Sequence, residues 1–155
     1  MISRFITTTA LALSTLGMAV PAYAQAQVTL DGDVKLVQTV EENGVSSTRL
    51  VEPDRVVPGD RLLFVTAYEN TTGETVDDFI VNNPLPDAVM LAENGDFEVS
   101  VDGGTSFGPL DRLSKLDEAG VRAPATVEDV THLRWSFDSL APGAKGALQY
   151  YAVIR

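Results

Sequence analysis

Any chemistry in this chain has to be done with oxygen donors, because it holds one histidine, His132, and no cysteine. Covalent attack needs a nucleophile beside a base, and hydrolysis by acid and base needs convergent carboxylates or a bound metal. His132 stands beside a turn at the head of the segment that carries Trp135. There an imidazole packs or caps more naturally than it works as a general base. No Gly-x-Ser-x-Gly elbow, phosphate loop, dinucleotide fingerprint or His-Glu-x-x-His motif occurs. One imidazole and no thiol exclude a multi-histidine or thiolate metal site within one chain. The chain does not read as an enzyme.

Hard cations remain open to it. Asp31-Gly32-Asp33, Asp77-Asp78, and Asn94-Gly95-Asp96 with Glu98 gather carboxylates and amides in short segments, and calcium takes several such oxygens. None completes an EF-hand loop, and Asp and Asn also serve their own backbone in turns. A structural calcium stays an alternative, and no cofactor is assigned. A sugar would need exposed aromatics. Tyr68, Tyr150, Tyr151 and Phe107 are the candidates, and Tyr151 is the best placed. A calcium- or carbohydrate-binding module is therefore the second reading of the chain.

The elements that would position these groups are strands. From Gln27 the apolar period is two, in runs rich in Val, Thr, Phe and Tyr. Turn signals separate the runs: Asp31-Gly32-Asp33, Glu42-Asn43-Gly44, Pro58-Gly59-Asp60, Thr71-Thr72-Gly73, Asn94-Gly95-Asp96, Asp102-Gly103-Gly104 and Pro142-Gly143. Strands are expected near residues 28–30, 34–40, 47–51, 61–70, 77–82, 89–92, 97–101, 133–138 and 147–155. The expected fold is all-β, a sandwich of about seven to nine mainly antiparallel strands. One helical turn fits residues 127–131, capped by Thr126 with Asp129 reaching back. Leu133, Trp135 and Phe137 are expected to face inward. The strand from Arg61 is apolar on both faces, so it is either a central strand covered on both sides or a strand with an exposed patch. If the fold leaves it uncovered, its second row, Leu63, Val65 and Ala67, or Tyr151 with Val153, is the candidate interaction surface.

The N-terminus sets the compartment. Arg4 precedes an apolar stretch diluted by Ser and Thr, Pro21 closes it, and Ala22-Tyr23-Ala24 gives a small-x-small cleavage site before Gln25. This is the layout of a cleavable signal peptide over residues 1–24, with Ala26 as an alternative cut. Cleavage leaves 131 of the 155 residues, enough for one domain with its own core. The division expected is residues 25–55 as N-terminal strands and residues 56–155 as the main domain. The net charge of −11 becomes −12 when Arg4 departs. Such acidity disfavours nucleic acid and anionic membrane surfaces. No membrane insertion is expected after cleavage, and the product is periplasmic or secreted.

Several motifs together carry a resemblance. Val57-Pro58-Gly59-Asp60, Tyr68-Glu69-Asn70, Asn83-Pro84-Leu85-Pro86, Leu133-Arg134-Trp135 and Leu140-Ala141-Pro142-Gly143, before a closing strand, resemble the domain-of-unknown-function 11 family. The likeness runs from about Val56 to Ile154. It implies an immunoglobulin-like module of exported and surface prokaryotic proteins, with these motifs in scaffold roles: Pro58-Gly59 launching a buried strand, Asn70 closing it by bonding to its neighbours, Pro84 and Pro86 stopping the next, and Pro142-Gly143 making the hairpin into the last. The chain departs from the family in carrying Asn83 where Asp is frequent, and in being a single copy. A local stretch, Ser100-Val101-Asp102-Gly103-Gly104-Thr105-Ser106-Phe107, resembles an Asp-box hairpin. That implies a folding device in which Asp102 accepts backbone N–H bonds. The expected function is a non-enzymatic structural or protein-interaction module of the envelope, partnered by an envelope protein or by itself.

Overall fold

A computed structural model describes residues 28–117 and 119–155. The cleavage site at Ala24 and Gln25 lies outside the described residues. Among the described residues ten strands form: β1 (Val28–Glu42), β2 (Val45–Val51), β3 (Arg61–Asn70), β4 (Val76–Pro84), β5 (Val89–Leu91), β6 (Glu98–Ser100), β7 (Ser114–Leu116), β8 (Arg122–Pro124), β9 (His132–Leu140) and β10 (Lys145–Ile154). One sheet has the order β2-β1-β3-β10-β5 and the other β4-β9-β6, with β7 and β8 as a separate hairpin. Every pairing between these strands is antiparallel.

The two sheets face one another across a core that includes Leu36, Leu62, Leu91, Val99, Leu133 and Tyr150. Tyr150 stacks on Phe64 with ring centroids 4.8 Å apart, and Trp135 of the opposite sheet comes within 6.4 Å of the same tyrosine. The fold is an immunoglobulin-like β-sandwich, with eight strands in its two layers.

Chain connections show how it is wound. β3 to β4, β4 to β5, β5 to β6 and β9 to β10 each pass from one sheet to the other. Pro142-Gly143 therefore makes an arch between layers and not the hairpin its turn chemistry suggests. Asn70 stitches that arch to the one after β3. Its side chain is fully buried, and its Nδ2 donates to the carbonyls of Glu74, Leu140 and Ala141.

Three further differences from the sequence reading have local causes. Asp31-Gly32-Asp33 makes no turn: β1 runs through it, because β3 supplies an uninterrupted ladder from Val28↔Asn70 to Val37↔Arg61. The hairpin of β7 and β8 has no sequence signal, because its three-residue strands carry no apolar alternation. A 3-10 turn at Leu110–Arg112 was also unforeseen. The turn at Val127–Asp129 is present, and the Asp129 carboxylate accepts bonds from the Thr126 N–H and hydroxyl at 2.8 and 3.0 Å.

Candidate functional site

The residues singled out for chemistry are spread over the molecule. Asp33 is engaged by Lys35 Nζ at 3.0 Å, and its Oδ1 accepts the Val34 N–H. Asp77 and Asp78 stand on β4, and Asn94-Gly95-Asp96 lies in the link from β5 to β6. Among the described residues no group of three or more His, Asp or Glu side chains converges as a metal site.

His132 opens β9 opposite Ser100 of β6. Its Nδ1 lies 3.1 Å from Thr131 Oγ1. That hydroxyl donates to the Ser100 carbonyl and accepts the Gly103 N–H, so the pair is a structural bridge and not a primed nucleophile. The Asp102 turn lies beside it. Asp102 Oδ1 accepts the N–H groups of Thr105 and Ser106, and the Ser100 and Ser106 hydroxyls lie 2.6 Å from its two carboxylate oxygens. The Ser100 hydroxyl first, then Ser106 and these amides, hold the carboxyl far below the usual range. Gly103 and Gly104 take positive φ of 73° and 84°, which lets the chain turn back under the carboxylate. Phe107 packs edge-on to His132 of β9, with Arg134 over its face at 3.6 Å. A cavity of about 400 Å³ near His132 also touches Pro86, Glu128 and Arg155. The guanidinium of Arg155 is spent on the carbonyls of Val89 and Glu128.

The expected outer row is not one exposed surface. Leu63 is buried at 6% exposure, Val65, Tyr151 and Val153 are half-buried, and only Ala67 is open. Leu63 is covered because it sits between Lys35 and Tyr151 in the five-stranded sheet. Arg61 in turn caps the Tyr151 ring at 4.4 Å and pairs with Glu93 at 2.7 Å.

The sandwich is instead open along one side. β5 pairs with β10 only from Ala152 to Ile154, and β6 pairs with β9 only from His132 to Arg134. Below those contacts β10 from 145 to 150 and β9 from 135 to 140 each lack a strand on the same side among the described residues. In the antiparallel ladder alternate residues point their N–H and C=O groups to opposite sides. Ile154 bonds toward β3, through Asp60, whereas the Tyr151 carbonyl faces β5 and accepts the Ala92 N–H at 2.8 Å. By that alternation Ala147 and Gln149 aim their backbone groups at the open side.

Two contiguous cavities of about 600 and 360 Å³ occupy this opening. Phe97, Trp135 and Phe137 line both, and Tyr68 and Leu148 line the inner one. Phe97 and Trp135 meet edge to face at 5.4 Å. Gly95 permits this, since a Cβ there would lie 2.6 Å from the Phe97 ring. Sequence reasoning assigned Trp135 and Phe137 to the core. Their outer halves are exposed because a three-stranded sheet cannot cover a five-stranded one. The mismatch in strand number is a tertiary property, and only the short spacing between the turn signals of the β5–β6 region hints at it.

No protein-family model, curated protein or solved structure matches this chain.

Proposed function

We propose that the chain is an exported, non-enzymatic module of the bacterial envelope that works by binding another protein. The N-terminal signal layout supports export, and the order of its turn motifs supports kinship with the domain-of-unknown-function 11 modules of surface proteins. The observation that carries the binding role is the unpaired stretch of β10 beside the aromatic opening. A sheet edge with free backbone donors and acceptors is the ordinary substrate for β-augmentation. Its site would be formed by Gln149, Ala147, Trp135 and Phe97, not by Leu63 and its row. A photo-crosslinker placed at Gln149 in the full chain, expressed in its native envelope, tests this. A discrete protein adduct at Gln149 that is absent from the same probe at Thr48 is expected, and an equal pattern at both positions overturns it.

The half-exposed Trp135 and Phe97 rings favour one second reading, a carbohydrate-binding groove, since sugars dock on such rings. Quenching of tryptophan emission by oligosaccharides, with no protein adduct at Gln149, would select it.

A further inference from the structure

We infer that the opening takes an extended peptide strand of alternating apolar and basic residues, paired to β10 as an in-line continuation of β5. This rests on the protein-binding reading above and adds the chemistry of the partner.

Three observations converge on that occupant. First, among the described residues the backbone groups of Ala147 and Gln149 have no strand on their outer side, while Ala92 already bonds to Tyr151 one step further along the same edge. An incoming strand thus extends an existing ladder and does not have to nucleate a new one. The facing edge of β9 carries Asp138, and charge on an edge guards it against pairing. The free stretch of β10 has its only charge at one end, Lys145, whose ladder partner is Glu69.

Second, a strand on β10 points every second side chain between the sheets, onto Phe97, Trp135, Phe137 and Leu148. The intervening side chains point outward to solvent. The floor is apolar and aromatic, which suits valine, leucine or phenylalanine at the inward positions.

Third, the rim is acidic. Asp96 and Glu98 are exposed on the lining of the opening, and Asp138 is exposed further along β9. Arg134 lines the outer cavity as well, but its guanidinium is engaged over the Phe107 ring and its Nε donates to Asn82 at 2.9 Å, which leaves the carboxylates as the uncommitted charges of the rim. The whole chain carries a net charge of −11, so a second copy is repelled and a basic strand is attracted. The charges of the partner are therefore lysine or arginine at the outward positions.

The single tryptophan lies in the opening, so its emission reads occupancy directly. The full mature chain is titrated with a short peptide alternating valine and lysine, with its valine–glutamate counterpart, and with a version N-methylated on the donors that face β10. The lysine peptide is expected to shift the emission of Trp135 and to bind about tenfold or more tighter than the glutamate peptide. Its affinity falls as salt rises, and each methyl on a pairing amide weakens it about fivefold or more. Ala147→Pro removes the outward N–H without touching the ladder to β3, and it abolishes the shift while the melting transition stays. Asp96→Asn with Glu98→Gln narrows the gap between the two peptides.

Equal binding of the methylated peptide overturns the strand pairing. Equal binding of the glutamate peptide overturns the charge assignment. Self-association of the chain, or quenching by oligosaccharide alone, replaces the occupant. If no peptide binds while Gln149 still captures a protein, the inference falls and the protein-binding reading stands.

Discussion

Asn70 Nδ2 lies 2.9 Å from the carbonyl oxygen of Leu140, and this bond joins the end of β3 to the end of β9 across the two layers. The same amide reaches Glu74 and Ala141, while its Oδ1 accepts the Thr72 N–H and hydroxyl at 3.0 and 2.6 Å. One fully buried side chain thereby satisfies both arches at this end of the sandwich. Asn70→Ala removes all of these bonds at a fully buried position, and we expect a loss of about 3 kcal/mol or more in urea unfolding. Asn70→Asp is nearly isosteric but replaces the donor with a carboxylate facing three carbonyl oxygens, so it should cost at least as much at neutral pH. A variant that unfolds at the wild-type urea midpoint would show the arches to be held by other contacts.

The Asp102 turn gives a pH signature. Its carboxyl is held far below the usual range by the Ser100 hydroxyl, then by Ser106 and two backbone amides. A folded-state value below the unfolded one means stability that is complete above the unfolded pKa, near 3.9, and lost as the pH falls below it. Asp102→Asn removes the charge at every pH. The variant is expected to melt lower than wild type at pH 7, with the gap closing progressively below about pH 4. Thermal melts of both proteins between neutral and acid pH measure it, and a gap that does not depend on pH would contradict it.

Local features were legible in the sequence and relations between layers were not. The Thr126–Asp129 cap, the Asp102 turn and the inward face of Leu133, Trp135 and Phe137 each depend on residues a few positions apart, where turn chemistry and a period of two act directly. Asp31-Gly32-Asp33 misled because its turn-forming residues were overruled by the ladder from β3, a segment more than thirty residues away. Pro142-Gly143 misled differently: the turn is real, but whether it closes a hairpin or an arch depends on which sheet receives β10. The candidate site suffered most. Leu63 read as a surface residue because nothing local reveals that Lys35 and Tyr151 flank it. The opening beside β10 comes from the shortness of β5 and β6 and has no motif of its own.

Tyr150 supplies an alkaline counterpart to Asp102. Burial raises its phenol above the ordinary value, and the Asn83 Nδ2 bond at 3.1 Å opposes this without cancelling it. Because the folded state prefers the neutral phenol, its contribution holds below about pH 10 and fades as the pH rises beyond it. Tyr150→Phe keeps the stack on Phe64 and loses only the hydrogen bond, so about 1 kcal/mol of stability should go at pH 7. Its alkaline unfolding limb should also be shallower than that of wild type. An unchanged limb would assign alkaline loss to other groups.

Gly146 is fixed by a neighbour and not by its backbone. A Cβ on it would lie 2.6 Å from Tyr68 Oη and 2.8 Å from Cζ, and the ring cannot swing freely because Phe137 holds it at 5.1 Å. Gly146→Ala is therefore expected to cost about 1–2 kcal/mol by overpacking, although Ala is ordinarily the better strand residue. Tyr68→Phe deletes the closest atom, so the double variant should recover part of that loss. Additive single effects in a double-mutant cycle would refute the contact.

The hairpin of β1 and β2 should be the least cooperative part of the fold. Beyond Val37 the chain has left β3, and β1 pairs only with β2 as far as Glu42↔Val45. Residues 41–50 are all exposed, and a two-stranded ribbon without a third strand is marginal in water. Its closing turn has Asn43 and Gly44 at φ 54° and 78°, the mirror-image geometry that matches strand twist. Excising residues 41–46 and joining Val40 to Ser47 through a new Asn-Gly pair preserves that geometry closer to the sandwich, because this pair lies in the same hydrogen-bonded phase as Glu42↔Val45. The anchor of Lys35 between Asp33 and Glu52 stays in place. We expect the shortened chain to unfold within about 0.5 kcal/mol of wild type, since nothing packed is removed. Amide exchange in the intact chain should be fast from 39 to 48 and slow from 62 to 66. A large destabilisation on excision would mean that the arm is held by contacts the monomer does not make.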